Sequence, residues 1–298
     1  MRSLAPVMLL TSACNQVLGL PDVHRGPCDP GSAFLHIAPV AGLGSELGEQ
    51  SAQLSRDELT IVFSRVTIAG TPDGPVPRRG DLYMAHRNHL AEDFRDAAPL
   101  DELNTELDEH TASLSDDHRT LYFDRQGPSQ RYQIFAARRF APSGPFGAPA
   151  LIALRDPASS DLEPFITSSA LFFASRSSDG SASLFTAEGR GTSFAAARQL
   201  VSLEGLPGPT AYEHPVVSSD GLAIYFSAPA DRAAPRDIWR ASRADPGQPF
   251  GSVRAVAELN TISAENPTWI SEDGCRLYFT TNRSGEGLQL WMASRAPP

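Results

Sequence analysis

The sequence predicts an all-β fold: a five-bladed β-propeller of four-stranded antiparallel blades, occupying residues 34–298 as one domain. Three observations predict it: one strand–turn–strand pattern recurs five times, each copy contains four strand-like segments, and the copies repeat about every 50 residues, which is typical of a propeller blade. The aromatic residue that ends the second strand marks this period. Successive marker residues are 60, 50, 53 and 53 positions apart in the sequence: Phe63, Phe123, Phe173, Phe226 and Phe279.

The first element along the chain is a short segment, residues 1–14, with the sequence MRSLAPVMLLTSAC. One Arg, an apolar run and small residues before Cys14 are typical of a secretory signal. The segment resembles a bacterial lipoprotein signal, in which the Cys carries the lipid, so we expect lipidation at Cys14 and a location in the bacterial cell envelope, periplasmic or outer-membrane associated. A plain cleaved signal peptide and a disordered N-terminus are the alternatives. No later segment has the roughly 18 to 20 apolar residues that span a bilayer, so membrane contact is expected only through this lipid.

A complete repeat unit has a first strand that opens on Glu, a turn that begins Ser-x-Asp and is often completed by Gly, an aromatic second strand and a third strand that closes on Arg. In the last unit these parts read ENPTWI, SEDG, CRLYF and LQLWMASR. A fourth apolar segment lies between successive units, and one more, FLHIAPVAGL, precedes the first unit. The third unit is shorter than the others. The first carries an insertion, residues 66–80, which we interpret as a surface excursion, with a recognition loop as the alternative.

The two ends of the domain are predicted to meet in one blade. Each blade is apolar on both faces and needs a neighbour on either side, which favours a closed ring. We therefore expect the strand from Phe34 to pair with residues 288–292 of the last unit. Residues 15–33, polar and rich in Pro and Gly, are expected to form a tether that ends near Cys28.

A disulfide is predicted at this closure. Cys28 precedes the Phe34 strand and Cys275 follows the turn of the last unit, so the topology brings both to one sheet. Export permits a disulfide, and a Cys28–Cys275 clamp would be worth on the order of 4 to 5 kcal/mol in the chain-entropy model. Two free thiols are the alternative.

Carboxylates repeat at two positions of the unit. One set lies in the tight turn, where Asp bonds to its own backbone and Gly takes positive φ, so we interpret Asp57, Asp117, Asp220 and Asp273 as structural. The other set opens the first strands, which line the central channel, with Glu163 as the nearest equivalent in the short third unit. It could form a carboxylate ring at one mouth that binds a cation or cationic group. Alternatively, each Glu accepts backbone N–H bonds from a neighbouring blade. The ring and the His residues that follow two of its members are Glu49, Glu109, Glu163, Glu213, Glu265, His110 and His214.

Charge and motifs exclude several function classes. The formal net charge is -10 and all 25 basic residues are Arg, spread through the repeats, which argues against nucleic acid as a partner. The sequence contains no G-x-S-x-G elbow, H-E-x-x-H zinc motif, phosphate-binding loop or calcium loop. Two Cys without suitably spaced His do not make a metal site. No catalytic residue, metal or cofactor is therefore predicted.

The repeat resembles a known family. Its turn, its L-Y-F second strand and its Asp-Ile-Trp type third strand are clearest in SSDGLAIYFS with DIWRASR and in SEDGCRLYFT with LQLWMASR. These segments are similar to the TolB-type, WD40-like propeller repeat found in many bacterial envelope proteins. The resemblance covers residues 34–296 and implies a fold more than a function, because the shared residues are turn and core positions.

Two functions remain for such a propeller. The first is a non-catalytic, monomeric envelope module that docks a protein, a peptide or a saccharide, a role common among propellers with regular repeats. The alternative is a glycoside-acting hydrolase, because five-bladed propellers also house such enzymes, and these need two carboxylates in different environments at a channel mouth, roughly 5 to 10 Å apart. Catalytic carboxylates should break the repeat. The carboxylates at the strand starts and in the turns instead recur at equivalent positions of the repeat, so the sequence favours a binding module over a hydrolase.

Overall fold

The computed structural model describes residues 28–43, 48–67, 79–156, 158–200, 211–231, 234–285 and 287–296. The predicted signal segment with Cys14, most of the predicted tether and most of the insertion at 66–80 lie outside the described residues. Within the described ranges the secondary structure is entirely β, with twenty-one strands. No helix in this part of the chain is long and apolar enough to cross a membrane.

The strands form five antiparallel sheets, the blades of the propeller, numbered here in chain order. Blade 1 contains β2 (Glu49–Leu54), β3 (Thr60–Thr67), β4 (Arg79–His86) and β5 (Arg95–Pro99). Blade 2 contains β6 (Glu109–Leu114), β7 (Thr120–Gln126), β8 (Tyr132–Arg138) and β9 (Ala150–Leu151). Blade 3 contains β10 (Ser160–Ile166), β11 (Ala170–Arg176) and β12 (Ala182–Arg190), with its outer edge made by two short strands, β13 (Ser193–Phe194) and β14 (Arg198–Gln199). Blade 4 contains β15 (Glu213–Val217), β16 (Ala223–Pro229), β17 (Arg236–Ser242) and β18 (Gly251–Ala255). Blade 5 contains β19 (Glu265–Ile270), β20 (Arg276–Thr281), β21 (Gln289–Arg295) and β1 (Phe34–Pro39).

The blades close into a ring. Each first strand contacts the first strands of both neighbouring blades, and β19 of blade 5 contacts β2 of blade 1. The second strands are buried along most of their length, because both faces are covered by neighbouring blades, and this explains their continuous β-branched and aromatic sequences. The five marker Phe residues are all fully buried. The predicted five-bladed propeller is therefore confirmed.

The strand that closes the ring comes from the N-terminal end of the domain. β1 pairs antiparallel with β21, with Phe34 opposite Arg295 and Ala38 opposite Met292, so blade 5 is built from both chain ends as expected. Just before β1, Cys28 and Cys275 form a disulfide with an S–S distance of 2.13 Å. This bond joins the segment preceding β1 to the start of β20.

The turn aspartates are structural. In blade 1, Oδ1 of Asp57 accepts the Ser55 hydroxyl at 2.6 Å and the Leu59 backbone N–H at 3.0 Å. The same pair of bonds recurs at Asp117, Asp220 and Asp273. The residue after each Asp has positive φ: Glu58 and His118 at 61° and 57°, and Gly221 and Gly274 at 69° each. The interpretation of these carboxylates as turn-forming is confirmed.

An Arg at the end of the third strand ties the turn to the outer strand. In blade 2, Nε of Arg139 donates to the carbonyl of His118 at 2.6 Å, and its guanidinium lies 4.5 Å from the ring centre of Phe146, which precedes the fourth strand. The same arrangement recurs in blades 1, 4 and 5. Its members there are Arg87 with Phe94, Arg243 with Phe250, and Arg295 with Phe34. These arginines therefore serve packing, which accounts for one basic residue per repeat.

Blade 5 is also fastened to blade 1 by a buried ion pair. Glu58, in the blade 1 turn, accepts two bonds from Nε and Nη2 of Arg276 at 2.9 and 2.6 Å. It also accepts the hydroxyl of Tyr278 at 3.0 Å. Glu58 is 4% exposed, so this network is desolvated, and it joins the closing blade to the first blade in the chain.

Candidate functional site

The central channel is lined by the five first strands, β2, β6, β10, β15 and β19. Their N-terminal ends lie at one mouth, called here the strand-start mouth, and the Ser-x-Asp-Gly turns that follow them lie at the other, called the turn-side mouth. A small cavity lies within the channel, and a larger cavity opens at the turn-side mouth.

The predicted ring of five glutamates does not form. Glu109 is fully buried and accepts the backbone N–H and hydroxyl of Thr105 at 3.0 and 2.5 Å and Nε of Arg125 at 2.6 Å. This Glu–Arg pairing within one blade recurs in blades 1 and 5, for Glu49 with Arg65 at 3.6 Å and Glu265 with Arg283 at 3.4 Å. A carboxylate whose charge is balanced by its own guanidinium is less available to a ligand. Each of these three carboxylates is therefore paired within its own blade, and a ligand-binding role for them stays a prediction.

The strand register also corrects the equivalence assigned to Glu163. In blades 1, 2 and 5 the opening Glu pairs with the residue two positions after the marker Phe. In blade 3 that residue is Ser175, and its partner is Asp161. The turn of blade 3 is two residues shorter, running from Thr167 to Ala170, which displaces the sequence match. Asp161 therefore occupies the structural position, and Glu163 occupies a different one.

Glu163 and His214 face the channel because each sits on a β-bulge with positive φ, 59° and 54°. Ser51 shares this conformation, with φ 50°, and all three line a cavity of about 10 Å³, the size of a single water. Oε2 of Glu163 accepts the His214 backbone N–H at 2.6 Å, and Oε1 lies 3.2 Å from Nε2 of the same imidazole. The alternative prediction, that a Glu accepts an N–H from the neighbouring blade, describes Glu163.

Glu213 lies beside this pair and carries the charge of the cluster. Its carboxylate accepts Nη2 of Arg176 at 2.6 Å and lies 2.7 Å from Nη2 of Arg236. Burial, and then the negative Glu213, raise the pKa of Glu163 well above its ordinary value. Burial, and then Arg236, lower the pKa of His214 well below its ordinary value. The two directions together favour a protonated Glu163 beside a neutral imidazole.

The cluster has the spacing of a metal site. Potential ligand atoms of Glu163, Glu213 and His214 lie within 4.8 Å of one another. Two guanidinium groups already contact Glu213, however, and they repel a divalent cation at the same place. His110, the other predicted His, is not one of these donors and bonds through Nε2 to Gln50 at 3.0 Å. The arrangement is better suited to holding two blades together than to binding a metal.

Asp124 of blade 2 forms a hydrogen bond to the backbone of Glu163, and its buried carboxyl makes the stability of the protein depend on pH. Its Oδ2 accepts the Glu163 backbone N–H at 2.6 Å, while Oδ1 is buried without a hydrogen-bond partner. Burial raises the pKa of Asp124 to about 6. The pKa of this carboxyl is about 4 in the unfolded chain and about 6 in the folded protein. At pH values between these two, the native state binds more protons than the unfolded chain. The contribution of Asp124 to the free energy of unfolding therefore falls as pH rises through this range.

We expect Asp124→Asn to stabilise the protein at pH 7, relative to wild type, more than it does at pH 4. The difference should reach up to a few kcal/mol, because each pKa unit corresponds to about 1.4 kcal/mol and Asn keeps the acceptor for Glu163. Urea unfolding from pH 4 to 8 measures it. Asp117→Asn is the matched control with the opposite trend, since its turn bonds lower the pKa of Asp117. A stability difference between Asp124→Asn and wild type that does not change with pH would contradict the assignment.

The turn-side mouth contains the larger cavity, with a volume of about 300 Å³. Its wall is a collar of aliphatic side chains contributed by the last residue of each first strand. Trp269 and Phe165 lie deeper in the channel, and Gln53 closes part of the floor by donating to the Pro164 carbonyl at 3.0 Å. The collar consists of Leu54, Leu114, Ile166, Val217 and Ile270.

The rim of this cavity carries most of the variation between repeats. In each of the four Ser-x-Asp turns the Ser and Asp bond to each other within the turn, whereas the x residue between them lines the mouth. In four blades these residues are Arg56, Asp116, Ser219 and Glu272, and in the shorter turn of blade 3 Ser168 lies at the rim. Arg56 pairs with Glu272, Nε to Oε2 at 2.7 Å. Together with Asp220, the rim has three carboxylates and one guanidinium, so it is net negative.

Sequence reasoning did not identify this site. In the sequence, the aliphatic collar residues cannot be distinguished from core residues, and the x residues belong to a tight turn. A signal was present nonetheless: x is the one turn position that differs in every complete copy, reading Arg, Asp, Ser and Glu along the chain. A position that varies within a constant turn is free to serve recognition.

No protein-family model matches this sequence, and no curated protein matches it. Among solved structures it is similar to RS223-Beta-xylosidase, with 15% identity over 88% of this chain and 98% of that chain and a TM-score of 0.59. It is also similar to the α-L-arabinofuranosidase PaAbf62A from Podospora anserina, with 11% identity over 87% of this chain and 96% of that chain and a TM-score of 0.55. A TolB-type protein from Agrobacterium tumefaciens has 15% identity over 82% of this chain and 76% of that chain, with a TM-score of 0.52. At these identities the similarity shows the β-propeller fold alone.

Proposed function

We propose that this chain is a non-catalytic binding module of the bacterial cell envelope that receives a peptide segment of a protein partner in its turn-side cavity. The observation that carries this proposal is the cavity itself, which combines about 300 Å³ of space, an aliphatic collar and a rim of non-repeating polar residues. Binding sites of this kind join an apolar pocket to a few polar groups that fix orientation. Two of the three carboxylates at its rim are used in the turn or paired: Asp220 bonds within its turn, and Glu272 bonds to Arg56.

The chemistry of the cavity indicates what the segment should contain. The collar suits one apolar side chain, such as Leu or Phe, which would be desolvated on entry. The net negative rim suits a neighbouring Lys or Arg, and the overall charge of -10 adds a long-range preference for cationic segments. The segment proposed is therefore an apolar residue flanked by a basic one.

This proposal predicts that fluorescently labelled hexapeptides containing Leu-Lys or Phe-Lys bind more tightly than matched Leu-Asp or Phe-Asp peptides. Ser168→Trp should weaken binding about tenfold or more, because Ser168 is exposed at the rim and a bulky ring there would fill the mouth. Fluorescence anisotropy measures the affinities. Ser169→Trp is the control, since Ser169 is the exposed next residue and does not line the cavity. Equal binding by both variants and wild type would exclude the cavity as the binding site.

The envelope location rests on the N-terminal segment. In this proposal Cys14 carries a lipid and the propeller is held at the membrane by residues 15–27, with no direct contact between its blades and the bilayer. The resemblance of the repeat to envelope proteins is consistent with this. The expected observation is a diacyl or triacyl mass increment on Cys14 in protein purified from its own envelope, and an unmodified chain would oppose the anchor.

Glycoside hydrolysis is the second candidate, favoured by the asymmetry of Glu163 and Glu213. One carboxyl has a raised pKa and the other is paired with two Arg, which resembles the division between an acid and a charged partner. Against it, the two residues are 5% and 2% exposed, and the adjacent cavity holds about 10 Å³, too little for a sugar ring. Release of nitrophenol from aryl arabinofuranosides or xylosides by wild type, but not by Glu163→Gln, would replace the binding proposal with this one.

A further inference from the structure

A third cavity lies away from the channel, between blade 4 and the closing blade 5. Its volume is about 200 Å³, and it opens to solvent past Arg254 and Glu258, both of which are exposed. Blade 4 contributes Arg240, Arg254 and Tyr225, and blade 5 contributes Phe34 and Arg295. Three guanidinium groups thus face one carboxylate in a protein whose overall charge is -10.

Two of these arginines stand directly opposite each other on neighbouring strands. Arg240 of β17 pairs with Arg254 of β18 in the sheet register. Like charges at directly opposite positions destabilise a sheet. The corresponding pairs in blades 1, 2 and 5 are uncharged: Met84 with Ala98, Ala136 with Ala150, and Met292 with Ala38. Blade 4 has therefore replaced a small apolar pair of the repeat with two positive charges.

The charges of this pair are not balanced by the protein. Neither Arg240 nor Arg254 forms an ion pair with a described residue, and Nε of Arg240 is buried without a hydrogen-bond partner. An unpaired donor of a charged group is costly to bury. Glu258, the one acidic residue in the lining, accepts the backbone N–H of Phe34 at 3.2 Å.

Arg295 fixes the third side of the cavity. Its Nε donates to the Gly274 carbonyl at 3.0 Å and its Nη2 to the hydroxyl of Tyr225 at 2.9 Å, while Nη1 bonds to the Ser32 carbonyl. These bonds hold the guanidinium in place, so it adds positive charge to the cavity without being mobile. Arg295 is thus a positioned charge, whereas the unsatisfied buried donor belongs to Arg240 and the exposed guanidinium belongs to Arg254.

We propose that this cavity is an oxyanion site that binds a phosphoryl group, held between Arg240 and Arg254 in the field of Arg295. Guanidinium forks match tetrahedral oxyanions through paired N–H bonds, and a phosphate dianion matches the excess of two positive charges. A bound dianion removes the repulsion between the cross-strand arginines and gives Nε of Arg240 an acceptor. The site is separate from the turn-side cavity and does not depend on the function proposed there.

The test uses inorganic phosphate and the intact protein, with isothermal titration calorimetry at constant ionic strength. Wild type should bind phosphate, and the Arg240→Met/Arg254→Ala variant should bind it at least about tenfold more weakly, as expected for the loss of charged hydrogen bonds. This variant restores the Met–Ala pair of blades 1 and 5, so it should fold. Arg131→Ala/Arg138→Ala is the control, because it removes the same charge from two exposed positions in blade 2.

Two further arms make the outcome decisive. Chloride at equal ionic strength should bind wild type much more weakly than phosphate, since it carries one charge and offers no pair of oxygens to a guanidinium fork. Glycerol phosphate is compared with inorganic phosphate: tighter binding of the ester assigns the site to a phosphorylated molecule, and tighter binding of phosphate assigns it to the free ion. No phosphate binding by wild type, or equal binding by wild type and the Met–Ala variant, overturns the proposal.

Discussion

Replacing Glu58 with glutamine should lower the free energy of unfolding by about 3 kcal/mol, because it removes the main counter-charge of the mostly buried Arg276 and leaves that guanidinium only the longer contact to Asp273, at 3.4 Å. Glu58 accepts two bonds from that guanidinium and one from Tyr278, and it is almost fully buried. Gln keeps the shape but has neither the charge nor the second acceptor oxygen. Urea or thermal unfolding followed by circular dichroism measures the loss.

His118→Gln is the matched control for this prediction. His118 occupies the same turn position in blade 2, with nearly the same positive φ, 57° against 61°. Among the described residues it forms no side-chain hydrogen bond or ion pair to another blade and acts only at a distance on titratable groups of blade 1 such as Asp57, so the change should cost no more than about 0.5 kcal/mol. The double variant Glu58→Gly/Arg276→Thr uses residue types found at these positions in other blades and should regain most of the loss. Equal effects of Glu58→Gln and His118→Gln would show that the bridge contributes little.

Removing the disulfide should have an effect of similar size. Cys28 and Cys275 are 247 residues apart in sequence, so the bond closes a loop that spans nearly the whole propeller. In the chain-entropy model such a bond contributes about 5 kcal/mol, and Cys28→Ser/Cys275→Ser should therefore lower Tm by roughly 10 °C. Differential scanning calorimetry measures the shift, and the intact mass of the oxidised wild type should show the loss of two hydrogens.

Reduction provides the internal control. A reducing agent should lower the Tm of wild type to that of the double Ser variant and leave the variant unchanged. If the reduced wild type melts at the same temperature as the oxidised protein, the bond does not contribute to stability as its position in the chain predicts.

The fold could be predicted because its determinants are local and repeat along the chain. The Ser55–Asp57 bond pair, the buried Phe123 and the Arg139–Phe146 contact each have counterparts at a fixed spacing, so five weak signals reinforce one another. Ring closure by the Phe34 strand could be predicted from the order of strands along the chain. The domain begins with an outer strand and ends with the third strand of the last unit, so these two strands complete one blade.

The channel could not be predicted to the same depth, because bulges and turn lengths change which side chains meet. The turn of blade 3 is two residues shorter, which moved Glu163 out of the position assigned to it and left Asp161 there instead. Sequence also identifies Glu109 as acidic without showing that Arg125 neutralises it. Pairing between blades and across strands, as for Arg240 and Arg254, depends on register and becomes visible only in the folded ring.

The position of the disulfide has a mechanical consequence. Cys28 lies between the N-terminal segment and β1, and its partner Cys275 lies in the body of blade 5. Tension applied through residues 1–27 is therefore transmitted across the sulfur atoms to the start of β20, and it bypasses the strand that closes the ring. An edge strand pulled from its end separates one hydrogen-bonded pair at a time, whereas here the load reaches a buried strand held on both sides. While the bond is intact, β1 carries no tension from the N-terminal end and cannot be peeled away by it.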